Sequence, residues 1–421
     1  MSAATTPTYL TKQIVYTFSF SANSAGGLSF DNSSGGGMQA LQDFVAKVEN
    51  DVLQDSTIQG LIGSDWQSVW GPVAYSSDTS GPTVRADNTM GCYYSQSQNL
   101  FVVAVAGTDS GSAFDWLDED FDVLTQVPWT TAGGTGSGNI SAGANKGLQI
   151  LLAMTDGTST MLSALTQWIT TNKVSGATIA VTGHSLGGAL APVLALYMSD
   201  TQSTPGFAGQ SLAVYASAGP TPGDSGFAST YATAISNGDL TYSSVYNTLD
   251  VVPLAWAVSD LATIPTLYDS YIPPAKSDSP ADAFTGSLIS GVVMAMSDQA
   301  VSYTQVSGRS SLAGTFNTTI DKIVSNVMSS LQSSLPSALT TYFESISNVA
   351  RFAAQAVVQH TSAYTTLLSI TDFNTEYQSI LANDKPSVAV RRDPTQAAIQ
   401  RLTGIRIAPE QRAASLRLAV A

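Results

Sequence analysis

Hydrophobic residues in the first part of the chain change between strand-like and helix-like spacing. Apolar side chains occupy every second position of Gln13–Ala22, which predicts a strand, and recur at helical spacing through Met38–Leu53, which predicts a helix. Met90–Gly107 predicts a β-hairpin with a polar turn at Gln96–Asn99. Its second strand, Leu100–Ala106, is almost wholly apolar, as in strands that are buried on both faces.

The next part of the chain continues this alternation of strands and helices. Lys146–Thr171 predicts a helix with a break near Asp156-Gly157, and Ser211–Ala216 and Ser243–Asn247 predict strands. Strands that alternate with helices form a parallel sheet covered on both faces. The predicted fold class is therefore α/β, with a mostly parallel central sheet flanked by helices.

A serine lies between two glycines at the centre of this pattern. A short β-branched run, Thr178–Val181, precedes the sequence G-H-S-L-G, and an apolar segment with few helix breakers follows it. Strand, tight turn and helix are the context that a nucleophile elbow requires. Gly183 and Gly187 would let the strand and the helix approach closely, leaving the Ser185 hydroxyl exposed on a strained turn. The alternative is a serine in an ordinary glycine turn.

A serine hydroxyl needs a base to remove its proton, and that base is nearly always histidine. The chain has two histidines. His184 is adjacent to Ser185 within the elbow, and neighbours on a tight turn project apart. By elimination, His360 is the predicted base, and the alternative is a core or surface histidine late in the chain.

An acidic side chain must hold the imidazole in the correct tautomer. In hydrolases of this topology, the acid follows a later strand, between the serine and the histidine in chain order. Asp250 meets this condition, because it comes at the end of the β-rich segment S-V-Y-N-T-L-D. Asp224, Asp260 and Asp269 are the competing candidates.

An oxyanion hole requires two hydrogen-bond donors near the reacting carbonyl oxygen. The backbone N–H of Leu186, directly after the nucleophile, is one predicted donor. The other should come from the loop after the buried strand that ends at Gly107, and this position is Thr108. Thr108 could otherwise be an ordinary turn residue.

Pro273–Val349 has a different pattern, with three apolar stripes at helical spacing. They either pack on the core or form a helical cap over the active site whose inner face contacts acyl chains. The predicted organisation is a hydrolase core over residues 1–272, a helical cap or insertion over 273–349, a histidine-bearing end of the core over 350–384 and a basic, flexible tail over 385–421.

Charge and composition exclude several classes of function. The 421 residues carry a net charge of −15, with 16 basic against 31 acidic residues and no basic patch outside the tail, so nucleic acid is not an expected partner. The tail holds seven of the basic residues and two of the acidic ones, which leaves −20 for the rest. A single cysteine, Cys92, excludes an internal disulfide framework and a cysteine-based zinc site.

No segment near Met1–Leu10 has the features of a Sec signal peptide, and no apolar run is long enough for a transmembrane helix. We therefore expect a soluble chain that is cytoplasmic or secreted by a route independent of a signal peptide. Four acidic residues crowd Asp118–Asp122, but the spacing and glycine of an EF-hand are missing, so an exposed acidic face is favoured over a calcium site. No cofactor or metal is predicted.

These residues together resemble the class 3 lipases, an α/β-hydrolase family that includes secreted fungal triacylglycerol lipases. The resemblance extends from Met90 to about Leu367. It rests on the oxyanion loop V-A-V-A-G-T-D-S (Val103–Ser110), F-D-W-L-D (Phe114–Asp118), the elbow G-H-S-L-G-G (Gly183–Gly188), the Gly-Pro loop (Val214–Asp224), the acid segment N-T-L-D-V-V-P (Asn247–Pro253), and His360 with Tyr364 four residues on.

The chain departs from the family at three places. Asn145-Lys146-Gly147-Leu148 stands where many members have His-x-Gly-Phe, and Thr221 replaces an arginine common after the Gly-Pro pair. Pro273–Val349 has no counterpart in the family pattern.

The resemblance implies a serine carboxylester hydrolase that needs no cofactor and acts on lipid esters at a lipid–water interface. Triacylglycerols, phospholipids cleaved at the A1 position and short-chain esters all remain open as substrates, because one triad serves each. The alternatives are a phospholipase A1-type secreted effector and a non-catalytic lipid-binding protein on the same fold.

Overall fold

The computed structural model describes residues 5–107, 122–201, 207, 209–272, 280–322, 324–325, 343–384 and 389–391. The strands within these ranges are β1 (Leu28–Asp31), β2 (Trp66–Tyr75), β3 (Thr83–Val84), β4 (Asn88–Ser95), β5 (Leu100–Val105), β6 (Gln126–Pro128), β7 (Asn139–Ser141), β8 (Thr178–His184), β9 (Ser211–Ser217), β10 (Thr241–Asn247), β11 (Arg309–Leu312) and β12 (Ala389–Arg391).

Helices cover both faces of the main sheet. They are α1 (Thr11–Ser21), α2 (Gly37–Gln54), α3 (Ser56–Ile62), α4 (Ala142–Ala153), α5 (Met161–Asn172), α6 (Leu186–Asp200), α7 (Ser225–Asn237), α8 (Val258–Leu261), α9 (Pro280–Asp298), α10 (Phe343–His360), α11 (Ser362–Leu367) and α12 (Thr371–Asn383), with short 3₁₀ turns at Val252–Leu254 and Ile264–Thr266.

The main sheet has the strand order β11-β10-β9-β8-β5-β4-β2 in the described part of the chain. From β5 to β11 every neighbouring pair is parallel, whereas β2, β4 and β5 pair in antiparallel fashion. Helices on both faces of a mostly parallel sheet confirm the predicted α/β-hydrolase architecture. The carboxyl ends of β8, β9 and β10 lie side by side, which is where such sheets place their active sites.

In the described part of the chain, three hydrophobic cores hold this architecture together. One core joins the sheet to α4, α5, α6 and α7, and a second joins its opposite face to α1, α2, α3 and α12. The third packs α9 against α10 and the segment that follows β10. Helix α6 is therefore enclosed, and eleven of its fifteen residues are buried.

The strand predicted over Gln13–Ala22 is wrong, because this segment forms helix α1. The alternating polar residues are buried together with their apolar neighbours, so the pattern does not reflect one exposed face. Thr17, Ser19 and Ser21 satisfy their hydroxyls by donating to carbonyl oxygens three residues earlier in the same helix.

The predicted hairpin is confirmed, since β4 and β5 pair in antiparallel register from Met90–Val105 to Ser95–Leu100. The predicted break near Asp156-Gly157 is also confirmed, because α4 ends at Ala153 and α5 begins at Met161. The strands predicted over Ser211–Ala216 and Ser243–Asn247 correspond to β9 and β10.

Several of the observed strands were not predicted from the sequence, and two short ones lie in the segments predicted as an insertion and as a tail. Arg309–Leu312, within the segment predicted as a helical insertion, forms β11 and extends the main sheet by pairing with β10. In the segment predicted as a tail, Ala389–Arg391 pair with Leu28–Phe30 in a small separate sheet. The insertion therefore contributes a strand to the core sheet, as well as helix α9.

A carboxyl group, Glu49 on α2, lies within the second core and is 4% exposed. Burial raises its pKa from 4.5 to about 7, an effect that the neighbouring hydroxyls of Ser21 and Tyr93 partly offset. One of its oxygens, Oε1, has no hydrogen-bond partner. Between pH 4.5 and 7 the native state therefore keeps a proton that the unfolded state loses, so this group costs stability as the pH rises.

We expect Glu49→Gln to remove this cost, because glutamine stays neutral at every pH. The free energy of unfolding of the variant, relative to the wild type, should rise by about 3 kcal/mol between pH 4.5 and pH 8. Urea denaturation at both pH values measures this difference. A difference that is independent of pH would contradict the assigned ionisation of Glu49.

Candidate active site

Ser185 lies on the tight turn between β8 and α6, at the carboxyl end of the central parallel strands. Its backbone has φ 61° and ψ −126°, a strained conformation for a residue with a side chain. Its N–H donates to the carbonyl oxygen of Ser217 at the end of β9, at 3.1 Å, and its own carbonyl accepts from Ala189 at 3.2 Å. The side chain is partly exposed. The local geometry is that of a nucleophile elbow.

Two glycines make this elbow sterically possible. A Cβ added to Gly183 would lie 2.1 Å from the carbonyl oxygen of Gly187, and one added to Gly187 would lie 2.2 Å from that of Val105. Both obstacles are backbone atoms, which cannot move aside without distorting the sheet. The strand, the turn and the helix can therefore approach this closely only without side chains at these positions.

The structure brings Ser185, His360 and Asp250 together, although they are far apart in the sequence. The Nε2 atom of His360 is 2.7 Å from the Ser185 Oγ, and its Nδ1 atom is 2.9 Å from the Asp250 Oδ2. His360 is 3% exposed and Asp250 is fully buried. A carboxylate accepts, so Nδ1–H donates to it, and in the neutral ring Nε2 then accepts the serine proton. This arrangement allows the imidazole to act as a general base toward Ser185.

Asp250 is fixed from two further directions. The Tyr364 hydroxyl donates to Oδ2 at 2.9 Å, and the N–H of Val252 donates to Oδ1 at 3.0 Å. Burial, followed by the proximity of Asp250, raises the pKa of Tyr364 well above its usual value. The phenol therefore keeps the proton with which it donates. These bonds hold the carboxylate in the plane that His360 requires.

His184, the other histidine, supports the main chain of the site. Its two ring nitrogens bond to groups other than the Ser185 hydroxyl. Its Nε2–H donates to the main-chain oxygen of His360 at 2.7 Å, and its Nδ1 accepts from the Ser217 hydroxyl at 3.0 Å. Burial, followed by the proximity of His360, lowers its pKa to about 3. The ring is therefore neutral, as this pair of bonds requires. Phe20 packs on it, with ring centroids 5.0 Å apart.

Two of the competing acidic residues, Asp224 and Asp260, have other contacts. Asp224 caps α7 by accepting from the N–H of Phe227 at 2.9 Å, and it also accepts from Asn139. Asp260 forms an ion pair with Arg309 at 3.1 Å. Of the four candidate acids, Asp250 is the one that bonds to the His360 ring.

Leu186, the first predicted oxyanion donor, begins helix α6, so its N–H belongs to the unpaired first turn of that helix. The chain at Gly107 runs directly beside the elbow, since an added Cβ there would lie 3.1 Å from the Ser185 Cβ and 3.5 Å from the Leu186 nitrogen. Thr108, the second predicted donor, lies outside the described residues. So do the acidic residues 118–120.

Sequence reasoning missed the supporting contacts of the site. The amide oxygen of Asn23 accepts from the N–H of Gly107 at 2.9 Å and so anchors the strand end next to the elbow. Ser217 and Phe20 hold His184. No sequence signal points to these residues, because their roles depend on α1 and β9 packing against β8.

Residues outside these contacts give no indication of a metal. Within the described ranges, no group of three or more histidine, cysteine or acidic side chains is arranged to hold a metal ion. Likewise, none of the helices described is long and apolar enough to cross a membrane.

A family comparison covers the segment that contains the elbow and the acid. Residues 102–259 match the class 3 lipase family. This range includes Ser185 and Asp250, whereas His360 lies beyond its end. No curated protein sequence matches the chain significantly.

Solved structures with this fold include M37 lipase, whose crystal structure is 22% identical to this chain. The alignment covers 90% of this chain and all of M37 lipase, with a TM-score of 0.62. The Rhizomucor miehei lipase–propeptide complex is 19% identical, covering 59% of this chain and 64% of that one, with a TM-score of 0.37. Lipase II from Rhizopus niveus is 17% identical, with 54% and 74% covered and a TM-score of 0.37.

The overlap with M37 lipase supports the α/β-hydrolase fold over most of the chain. The family match adds a sequence similarity over the segment in which the elbow occurs. Residues 102–259 are therefore similar to the class 3 lipases, within a chain that has the α/β-hydrolase fold.

Proposed function

We propose that the protein is a serine carboxylester hydrolase for lipid esters, with Ser185 as nucleophile, His360 as general base and Asp250 as the residue that orients His360. The observation that supports this most strongly is the continuous hydrogen-bonded chain from the Ser185 Oγ through the His360 ring to Asp250. The match of residues 102–259 to class 3 lipases supports a lipid ester as the substrate.

In the proposed reaction, His360 Nε2 takes the proton of Ser185 as Oγ attacks the ester carbonyl carbon. The tetrahedral intermediate collapses when the ester C–O bond breaks and the imidazolium returns its proton to the departing alcohol. Water, activated by the same ring, then attacks the acyl-enzyme and releases the fatty acid. Asp250 stabilises the imidazolium in both steps without itself taking the proton.

The N–H groups of Leu186 and Thr108 are the proposed oxyanion donors. Leu186 is favoured because it opens α6, where the helix dipole adds positive potential. The place of Gly107 beside Ser185 supports a donor from the loop that begins with Thr108. Two such donors stabilise the negative charge that develops on the carbonyl oxygen.

The insertion between the acid and the histidine is the proposed cap over the substrate. Its helix α9 shares a core with α10 and with the segment after Asp250, and therefore packs against the two elements that carry the acid and the base. Met294 on α9 is 66% exposed and Val258 on α8 is 44% exposed. Apolar side chains on this part of the molecule suit a substrate that is itself apolar.

A substrate panel tests the proposed function. Triacylglycerols and phosphatidylcholines of short, medium and long acyl chains are offered as emulsions, and fatty-acid release is titrated for the wild type and Ser185→Ala. We expect hydrolysis by the wild type alone, with triacylglycerols cleaved faster than phospholipids. A faster rate on phospholipids, with release from the A1 position, would instead assign the enzyme to the phospholipases. No release from any ester would overturn the proposal.

A further inference from the structure

Two buried amide side chains lie next to the proposed triad and take no part in its chemistry. Gln359 directly precedes His360 at the end of α10, and Asn247 ends β10, three residues before Asp250. Both residues are fully buried. The Asn247 Nδ2 donates to the Gln359 Oε1 at 2.7 Å and to its main-chain oxygen at 2.9 Å. The base-bearing helix and the acid-bearing strand are thus joined directly.

Asn247 also organises the turn Asn247–Asp250, called here the acid turn. Its main-chain oxygen accepts from the N–H of Asp250 at 3.0 Å, and its Oδ1 accepts from the N–H of Leu249 at 3.0 Å. Its own N–H donates to the Tyr364 hydroxyl at 2.8 Å, the same hydroxyl that donates to Asp250. A Cβ added to Gly314 would lie 2.2 Å from the Asn247 Oδ1, so the amide is closely enclosed.

Gln359 connects this arrangement to the insertion. Its Nε2 donates to the main-chain oxygen of Thr315, just after β11, at 2.8 Å, and to the Gln355 Oε1 at 3.1 Å. Gln355 in turn donates to the main-chain oxygen of Asn317 at 3.0 Å. Removing either amide of the Asn247–Gln359 pair would leave buried partners unsatisfied. Because any movement that breaks these bonds has the same cost, the two side chains are held in one geometry.

We propose that Asn247 and Gln359 are positioning residues that set the distance between the His360 ring and the Asp250 carboxylate. The proposal rests on the proposed function. Without the pair, the end of α10 and the acid turn would be joined by the His360–Asp250 bond itself and by the apolar packing of the third core. A displacement of about 1 Å at a reacting group can cost about 100-fold in rate, so the effect should appear in kcat.

Gln355 offers a matched control for Gln359. Both are glutamines on α10, both are fully buried, and each donates to a main-chain oxygen of the segment after β11. Of these two glutamines, Gln359 bonds to Asn247, whereas Gln355 reaches the pair only through its bond to Gln359. Methionine has nearly the shape of glutamine but lacks its hydrogen bonds, so Gln359→Met and Gln355→Met should lose similar amounts of stability.

The test measures kcat and KM on a soluble p-nitrophenyl ester, together with the melting temperature, for both methionine variants and Ser185→Ala. For Gln359→Met we expect kcat to fall about 10- to 100-fold with KM within about twofold, and for Gln355→Met a kcat within about threefold of the wild type. The proton on His360 Nδ1, visible far downfield in the ¹H NMR spectrum when it is bonded to a carboxylate, should shift or broaden in Gln359→Met alone.

Equal losses of kcat in the two methionine variants, with an unchanged NMR line, would overturn the positioning role while leaving the proposed function intact. Hydrolysis that survives Ser185→Ala would overturn the proposed function, and this inference with it. Should a methionine variant fail to fold, Gln359→Asn and Gln355→Asn, which shorten the amide by one methylene, give the same comparison.

A double-mutant cycle provides a second measurement. If Asn247 and Gln359 act as one unit, Asn247→Ala combined with Gln359→Met should lower kcat hardly more than the worse single change. If the fold losses in kcat of the two single variants multiply in the double variant, the two amides act independently. This result would overturn the proposal that they act as a pair.

Discussion

Replacing Ser185 by alanine is expected to lower kcat by about 10⁶-fold while leaving the fold intact. The methyl side chain removes the nucleophile that lies 2.7 Å from the His360 Nε2, and no other hydroxyl occupies that position on the strained turn. The backbone bonds of the turn do not involve Oγ, so they remain. Steady-state kinetics on a soluble ester, with a melting curve for each protein, provides the measurement.

Ser199→Ala is the matched control for this change. Ser199 is also partly exposed and lies near the opposite end of the same helix, α6, about 20 Å from the elbow. Its replacement should leave kcat unchanged. Comparable activity in Ser185→Ala and Ser199→Ala would refute the assignment of the nucleophile.

Asp250→Asn is expected to lower kcat by about 10⁴-fold. The N–H of Val252 donates to Oδ1, so an asparagine would keep its oxygen on that side. Its NH₂ group would then face the Nδ1–H of His360 and the Tyr364 hydroxyl, both of which are donors. To escape this conflict the imidazole must move its proton to Nε2, where it can no longer accept from Ser185.

The kinetic control for this change is Asp260→Asn, which removes the charge of another aspartate that follows β10. Asp260 pairs with Arg309 on a partly exposed part of the surface, so its loss should change kcat by less than about threefold. A loss in Asp260→Asn as large as in Asp250→Asn would mean that overall charge, and not the tautomer of His360, limits the rate.

The sequence identifies the elbow because its structural requirements are local. A β-branched run, the glycines Gly183 and Gly187, and an apolar helix suffice to place Ser185 on a turn at the end of a strand. Assigning a base was possible because the chain has only two histidines and His184 is adjacent to the serine. The contacts of Asp250 could not be derived in this way, since they depend on the pairing of β10 with β9.

Helix α1 shows why periodicity failed in the N-terminal segment. Ile14, Phe18 and their alternating polar neighbours are all buried, because the helix lies between the sheet and other helices. The hydroxyls bond within the helix itself, so burying them costs little and the polar positions do not indicate an exposed face. Periodicity predicts structure only where one face is exposed to solvent.

Strand β11 escaped prediction for a different reason. Its sequence, R-S-S-L, has no apolar alternation, and its Ser310 and Ser311 are exposed at the edge of the sheet. Arg309 is held by an ion pair with Asp260, and its guanidinium lies 4.2 Å from the centre of the Tyr246 ring. These contacts come from distant parts of the chain, so no local pattern could indicate them.

Labelling with a fluorophosphonate tests the central claim most directly, because the probe reacts only with a serine that a base activates. We expect a single adduct, mapped by mass spectrometry to the peptide that contains Ser185, no adduct in Ser185→Ala, and much slower labelling in His360→Ala. An adduct on another serine, or labelling of Ser185 at an unchanged rate without the His360 imidazole, would contradict the proposed triad.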